Sequence, residues 1–221
     1  MKHWTFTVAA ADASMHGGHV EEWRSSDGTA AARVVESGDI MSTRVILTYD
    51  DYAVLPNDGR RYELHEGELS VSPAPSPRHQ KVIVNLIVIL DRHVKTHRLG
   101  EIYVSPIDCI MSNITVVQPD IVYVDTEHLG SISRRGIEGA ATLAVEVLSP
   151  STADVDRRTK LQLYARYGVP YYWIADLDLR VIEAYRLTEG RYEPAGRLEG
   201  ATPAPLVPFA DLDLDPAAIW P

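Results

Sequence analysis

Residues 143–174 read LAVEVLSPSTADVDRRTKLQLYARYGVPYYWI, and the periodicity of this stretch decides the class of fold. Leu143, Val145 and Val147 alternate with Ala144, Glu146 and Leu148, the period-two pattern of a strand whose faces are both largely apolar. Beyond Ser149-Pro150-Ser151-Thr152 the spacing changes to three and four. Asp156, Lys160, Leu163, Tyr164 and Tyr167 then form one stripe of a helix predicted over residues 153–167. Gly168 suits the left-handed position that ends a helix, with Pro170 just beyond it. Tyr171-Tyr172-Trp173-Ile174-Ala175 resumes a continuous apolar run, as a buried strand requires. Strand, helix and strand in this order predict a mixed α/β architecture.

The same reading extends in both directions. Residues 180–186 and 191–195 read as antiparallel neighbours of the last strand, and residues 201–221 as a Pro-rich tail with little regular structure. Upstream, residues 101–111, broken by Pro106, and residues 115–124 read as two strands, separated from residue 143 by a polar loop over 125–141. Ser76 caps a helix with Pro77 at its first position, and no breaker follows until Gly100. That helix carries Val82, Ile83, Val84, Leu86, Ile87, Val88, Ile89 and Leu90 on nearly every side, so its middle is expected in the core. Its β-branched residues would admit a strand, but its uninterrupted length favours helix. Residues 62–65 and 68–72 flank Glu66-Gly67 as a β-hairpin. Residues 1–42 are expected to be a poorly ordered or peripheral extension, with one domain over 43–200.

Composition excludes several classes. The 221 residues carry 21 Lys plus Arg against 31 Asp plus Glu, a formal charge of −10, which argues against coating nucleic acid through bulk positive charge. A lone Cys109 excludes an internal disulfide framework and a thiolate zinc knuckle. No apolar run approaches a membrane span and no signal-peptide core is present, so a soluble cytoplasmic protein is expected.

Three charges fall where a packed face is expected. Read as one strand, residues 115–124 place Asp120 on a face with Val116, Gln118, Val122 and Val124. Glu146 is the only charge in its strand, and the helix stripe turns Lys160, with Asp156 four residues before it, toward the sheet. Two neighbouring carboxylates become tolerable when they share a cation. This pattern fits either a Mg²⁺ site with a lysine acting on the attacking water, or a structural ion pair of Lys160 with Asp156 or Glu146. His93 and His97, spaced i and i+4, suit a metal, but no further ligand motif accompanies them and beside Arg92, Lys95 and Arg98 they read as exposed. Ser149 and Ser151 lack an oxyanion glycine motif and read as loop or cap.

Glu146-Val147-Leu148-Ser149-Pro150-Ser151-Thr152, with Asp156, Lys160, Tyr164, Gly168-Val169-Pro170 and Tyr172-Trp173-Ile174, resembles the Uma2 family of proposed endonucleases. So do Tyr62-Glu63-Leu64, Gly67-Glu68-Leu69, Ser72-Pro73, His79-Gln80 and Pro119-Asp120, in the family's order. The resemblance implies a restriction-endonuclease-like fold of the PD-(D/E)XK superfamily: a central mixed β-sheet flanked by helices, with a β-hairpin near the start of the domain. It implies that Asp120 and Glu146 are metal ligands, with the Val147 carbonyl as a third, and that Lys160 replaces the lysine of the basic motif, whose position holds Leu148. Glu63, which could complete the acidic cluster, and His79 and Asp156 are implied as accessory residues. The implied activity is Mg²⁺- or Mn²⁺-dependent hydrolysis of DNA, leaving a 5′-phosphate; a homodimer is admitted as the assembly. A catalytically silent interaction module, or a hydrolase of another phosphodiester, are the alternatives.

Overall fold

The computed structural model describes residues 19–24, 30–35, 45–149 and 153–221. The chain divides into two compact units, Met1–Arg44 and Val45–Pro221. In the first, β1 (His19–Arg24) and β2 (Ala30–Val35) pair antiparallel. The other pieces expected of the N-terminal extension lie outside the described residues, as does the 150–152 part of the Glu146–Thr152 motif.

The second unit opens with α1 (Tyr49–Ala53) and a hairpin of β3 (Arg61–His65) and β4 (Glu68–Ser72). The two turn residues, Glu66 and Gly67, have φ of 52° and 83°, the left-handed pair that matches the strand twist of a two-residue hairpin. α2 (Pro77–His97) begins as expected, the Ser76 hydroxyl accepting a hydrogen bond from the His79 amide at 3.2 Å. There follow β5 (Gly100–Val104), β6 (Cys109–Ser112), β7 (Thr115–Val117), β8 (Ile121–Asp125), β9 (Ile137–Glu138) and β10 (Leu143–Val147). The next helix is wound as a π-helix over Val155–Lys160 and continues as α3 (Leu161–Arg166). β11 (Tyr171–Asp176), β12 (Val181–Thr188), β13 (Arg191–Leu198), β14 (Ala204–Leu206), β15 (Phe209–Leu214) and α4 (Pro216–Ile219) complete the chain.

Among the described residues, two mixed sheets carry this mixed α/β unit. One has the order β13-β12-β11-β10-β8-β5, with β10 and β11 parallel; the other has the order β4-β3-β7-β6-β9, with β6 and β9 parallel. The single central sheet expected from the resemblance is therefore joined by a second. The reason lies at two prolines. Residues 101–111, expected to break at Pro106, and residues 115–124, expected as one element, break at Pro106 and Pro119 respectively and send their halves to different sheets. Proline offers no ladder N–H, so the pairing cannot run through it.

Strand alternation in β10 holds as expected. Leu143, Val145 and Val147 enter the core with Val82, Ile83, Leu86 and Leu90 of α2, while Ala144 and Leu148 join Leu163 and Tyr164 on the other side. α2 is less central than its composition predicts: Val84 and Val88 are exposed, and one stripe alone packs. The C-terminal residues also correct an expectation. Leu206, Phe209, Leu214 and Ile219 are buried in the α2 core, and the Trp173 indole donates to the Val207 carbonyl at 2.7 Å. Prolines obscure the strand period there, whereas burial of these four apolar side chains supplies the stability. No helix among the described residues is long and apolar enough to cross a membrane.

A candidate active site where the two sheets meet

Asp120 sits in the break between β7 and β8, at the crossing from one sheet to the other, rather than on a strand face. Its Oδ1 accepts from Arg61 Nη1 at 2.8 Å, and its Oδ2 accepts from the Val147 amide at 2.9 Å. Glu146 is the penultimate residue of β10, and its Oε1 accepts from Lys160 Nζ at 2.9 Å and from the Tyr164 hydroxyl at 2.7 Å. Lys160 Nζ also lies 3.1 Å from Glu63 and 3.4 Å from Asp156, so one buried ammonium faces three carboxylates. Arg61 completes the set, 3.5 Å from Glu63 and 3.7 Å from Glu146. Both sheets contribute: Arg61 and Glu63 come from β3, and Glu146 from β10.

Asp120, Glu146 and Lys160 thus come together, with Glu63, His79 and Asp156 beside them. His79 is packed, as its position in the first turn of α2 suggests, yet it belongs to the cluster. Its Nε2 lies 2.7 Å from the Val147 carbonyl and 3.2 Å from Asp120, so this nitrogen is the donor. The Val147 carbonyl, expected as a metal ligand, accepts from His79. The sequence reading does not place Arg61, His65, Gln118 or the Tyr164 hydroxyl in the cluster. Period-two spacing of Arg61, Glu63 and His65 on β3 would have found the first two, since it places three polar side chains on one face. Gln118, whose backbone N–H donates to Glu63 at 2.7 Å, carries no such signal.

Four carboxylates and two fixed cations leave a formal balance of −2 when all are ionised. The groups respond differently. Burial and the charges of Asp156 and Asp120, partly offset by Lys160 and Arg61, push the Glu146 carboxyl up to about 8. Burial works against ionised Asp120, but His79, Arg61 and the Val147 amide outweigh it and hold the carboxyl below its usual range. Glu63 is likewise lowered, burial being overcome chiefly by Lys160. Lys160 is raised, because Glu146, Glu63 and Asp156 together exceed the cost of burying its ammonium. The cluster opens into a cleft of about 290 Å³ lined by Arg61, His79, Asp120, Glu146 and Asp156 and edged by the segment after β4.

The fold is shared with a protein from Anabaena variabilis ATCC 29413, described as "a putative nuclease belonging to DUF820". The two are 20% identical with a TM-score of 0.65 over 78% of this chain and 97% of that one. No curated protein matches the sequence. The profile of the Uma2 family, described as "Putative restriction endonuclease", matches residues 49–217, a span that takes in the hairpin, both sheets, every residue of the acidic cluster and most of the C-terminal segment; the chain belongs to this family.

Proposed function

We propose that this protein is a divalent-metal-dependent endonuclease that hydrolyses DNA phosphodiester bonds on a restriction-endonuclease-like variant of the mixed α/β fold. The observation carrying the proposal is the convergence of Asp120 and Glu146 on one accessible cleft, with Lys160 buried behind Glu146, in a cluster whose formal balance is −2 when every carboxylate is ionised. The donor set fits Mg²⁺ or Mn²⁺: carboxylate oxygens from Asp120 and Glu146 and a backbone carbonyl at Val147 are the hard ligands these ions take. When bound, such an ion polarises the scissile phosphate and lowers the pKa of a coordinated water. Lys160, raised and therefore charged at neutral pH, donates hydrogen bonds that hold and orient the attacking water; it is not the base. His79 fixes the Val147 carbonyl and Asp120 in one orientation, and Tyr164 does the same for Glu146.

Two arginines stand at the cleft of this acidic chain. Arg61 lines it, and Arg78, exposed, donates to the carbonyl of lining residue Leu177 at 3.5 Å. Arg61 is itself paired with Asp120, Glu63 and Glu146, and Arg78 lies 3.7 Å from Asp178; Arg135 and Arg157 are likewise engaged, with Glu138, and with Asp176 and Glu183. The test is cleavage of supercoiled DNA, single strands, RNA and small phosphodiesters with Mg²⁺ or Mn²⁺, by wild type and Asp120→Asn. Metal-dependent cleavage of DNA by wild type alone is expected; equal cleavage by the variant refutes the assignment.

One observation favours a silent interaction module. The Arg61 guanidinium bridges Asp120 and Glu146, so a cation already stands between the two carboxylates. In that reading Mg²⁺ produces no binding heat and Asp120→Asn changes nothing in the titration.

A further inference from the structure

α2 carries a second polar cluster at its far end. His93 lies 14 residues after His79, about 21 Å along the helix axis, so this cluster is separate from the acidic cleft. Ligand atoms of His93, His97 and Asp211 all lie within 4.8 Å of one another. His93 is buried rather than exposed, and its Nε2 makes no hydrogen bond although it points at the Asp211 carboxylate from 3.3 Å. Phe209, itself buried, holds the imidazole edge-on at 5.6 Å between centroids. His97 Nδ1 lies 2.9 Å from the His93 carbonyl, which makes that nitrogen the donor and leaves the lone pair on Nε2.

We propose that His93, His97 and Asp211 bind one divalent transition-metal ion of the zinc class, which ties the β14–β15 hairpin to α2. Two imidazoles, which are borderline donors, with one carboxylate suit Zn²⁺ and not Mg²⁺, whose preference is for oxygen alone. Ligand atoms about 2.0–2.1 Å from a tetrahedral centre stand about 3.3 Å apart. The His93–Asp211 pair already has that separation, 3.3 Å. His97 and Asp211 are exposed, so small side-chain rotations at the surface can close the remaining distance. Of the neighbouring cations Arg92, Lys95 and Arg98, Lys95 is turned to Asp91 at 2.9 Å.

The test uses the full chain without a histidine tag, in an Asp120→Asn background so that the acidic cleft does not report. Zn²⁺ is titrated by calorimetry into this parent and into the same chain with His97→Ala, Asp211→Asn or both. Both positions are exposed, so folding is retained. One Zn²⁺ per chain is expected for the parent, with affinity reduced at least about 10-fold by each change, the lower bound set by loss of even a supporting ligand contact. At Zn²⁺ one hundred times its dissociation constant the unfolding equilibrium constant of the parent should fall about 100-fold, and the double variant should show no such shift. Mg²⁺ at the same concentration should not reproduce it. Equal Zn²⁺ affinity in parent and double variant, no Zn²⁺ binding at all, or equal protection by Mg²⁺ overturns the proposal and leaves a His93–Asp211 ion pair.

Discussion

Replacing Lys160 by Met keeps most of the side-chain stem against Leu163 and Tyr164 and removes the ammonium from the centre of three carboxylates. Glu63 then retains Arg61 at 3.5 Å and the Gln118 amide at 2.7 Å, while Glu146 retains the Tyr164 hydroxyl at 2.7 Å. Breaking a buried ion pair from one side costs about 3–5 kcal/mol. In a unit of this size that corresponds to a fall in Tm of about 6–20 °C, at about 2–4 °C per kcal/mol. Glu146, pushed up to about 8, is already protonated at pH 7 and holds that proton more tightly once Lys160 is gone, so the loss at pH 7 should lie near the lower bound and grow toward pH 9. If Lys160 also orients the attacking water, single-turnover cleavage at saturating Mg²⁺ falls by about 10²-fold or more in the fraction that remains folded. Melting curves at pH 7 and 9 and the single-turnover rate, taken on one preparation, read both effects. A Tm within 2 °C of wild type would refute the buried-charge argument, and an unchanged rate per folded molecule would reduce Lys160 to a structural partner.

The metal-free protein should lose stability as pH rises from about 5 to about 8. Folded Glu146 holds its proton up to about 8 while the unfolded chain releases it near 4.5, so the folded state binds more protons throughout that window. The slope reaches about 1.4 kcal/mol per pH unit, and Glu146→Gln, which also abolishes metal-dependent cleavage, should remove it; a slope surviving in that variant points to another group. Arg61→Met should tighten Mg²⁺ binding in calorimetry by removing a competing cation, whereas weaker binding would show that the guanidinium supports the ion. Phe209→Ala should destabilise Val45–Pro221 by about 3–5 kcal/mol in urea unfolding, because its buried ring touches Tyr123 and Trp173; a loss under 1 kcal/mol would return the C-terminal segment to the status of an appendage.

The parts of this protein that were legible in the sequence are those governed by local period and capping. Glu146 among apolar neighbours, Lys160 on the stripe of Leu163 and Tyr164, the Ser76-Pro77 helix start and the Glu66-Gly67 turn each follow from spacing within a few residues. The family resemblance added Asp120 and Glu63 by their place in an ordered set of motifs. Tertiary structure alone decided what these charges meet. Asp120 was reached by an alternation argument that does not apply, since Pro119 breaks the strand there. Its orientation comes from Arg61, His79 and the Val147 amide, which arrive from a different sheet, a helix and a strand. The pairing of His93 with Asp211 spans 118 positions, and the burial of Phe209 and Leu214 depends on where α2 presents its stripe. Periodicity reports which face of an element is apolar, because that is a property of neighbouring residues. Which partner covers that face, and which charge is left inside with it, is set by contacts between segments far apart in the chain, and those exist only once the two sheets and α2 have packed.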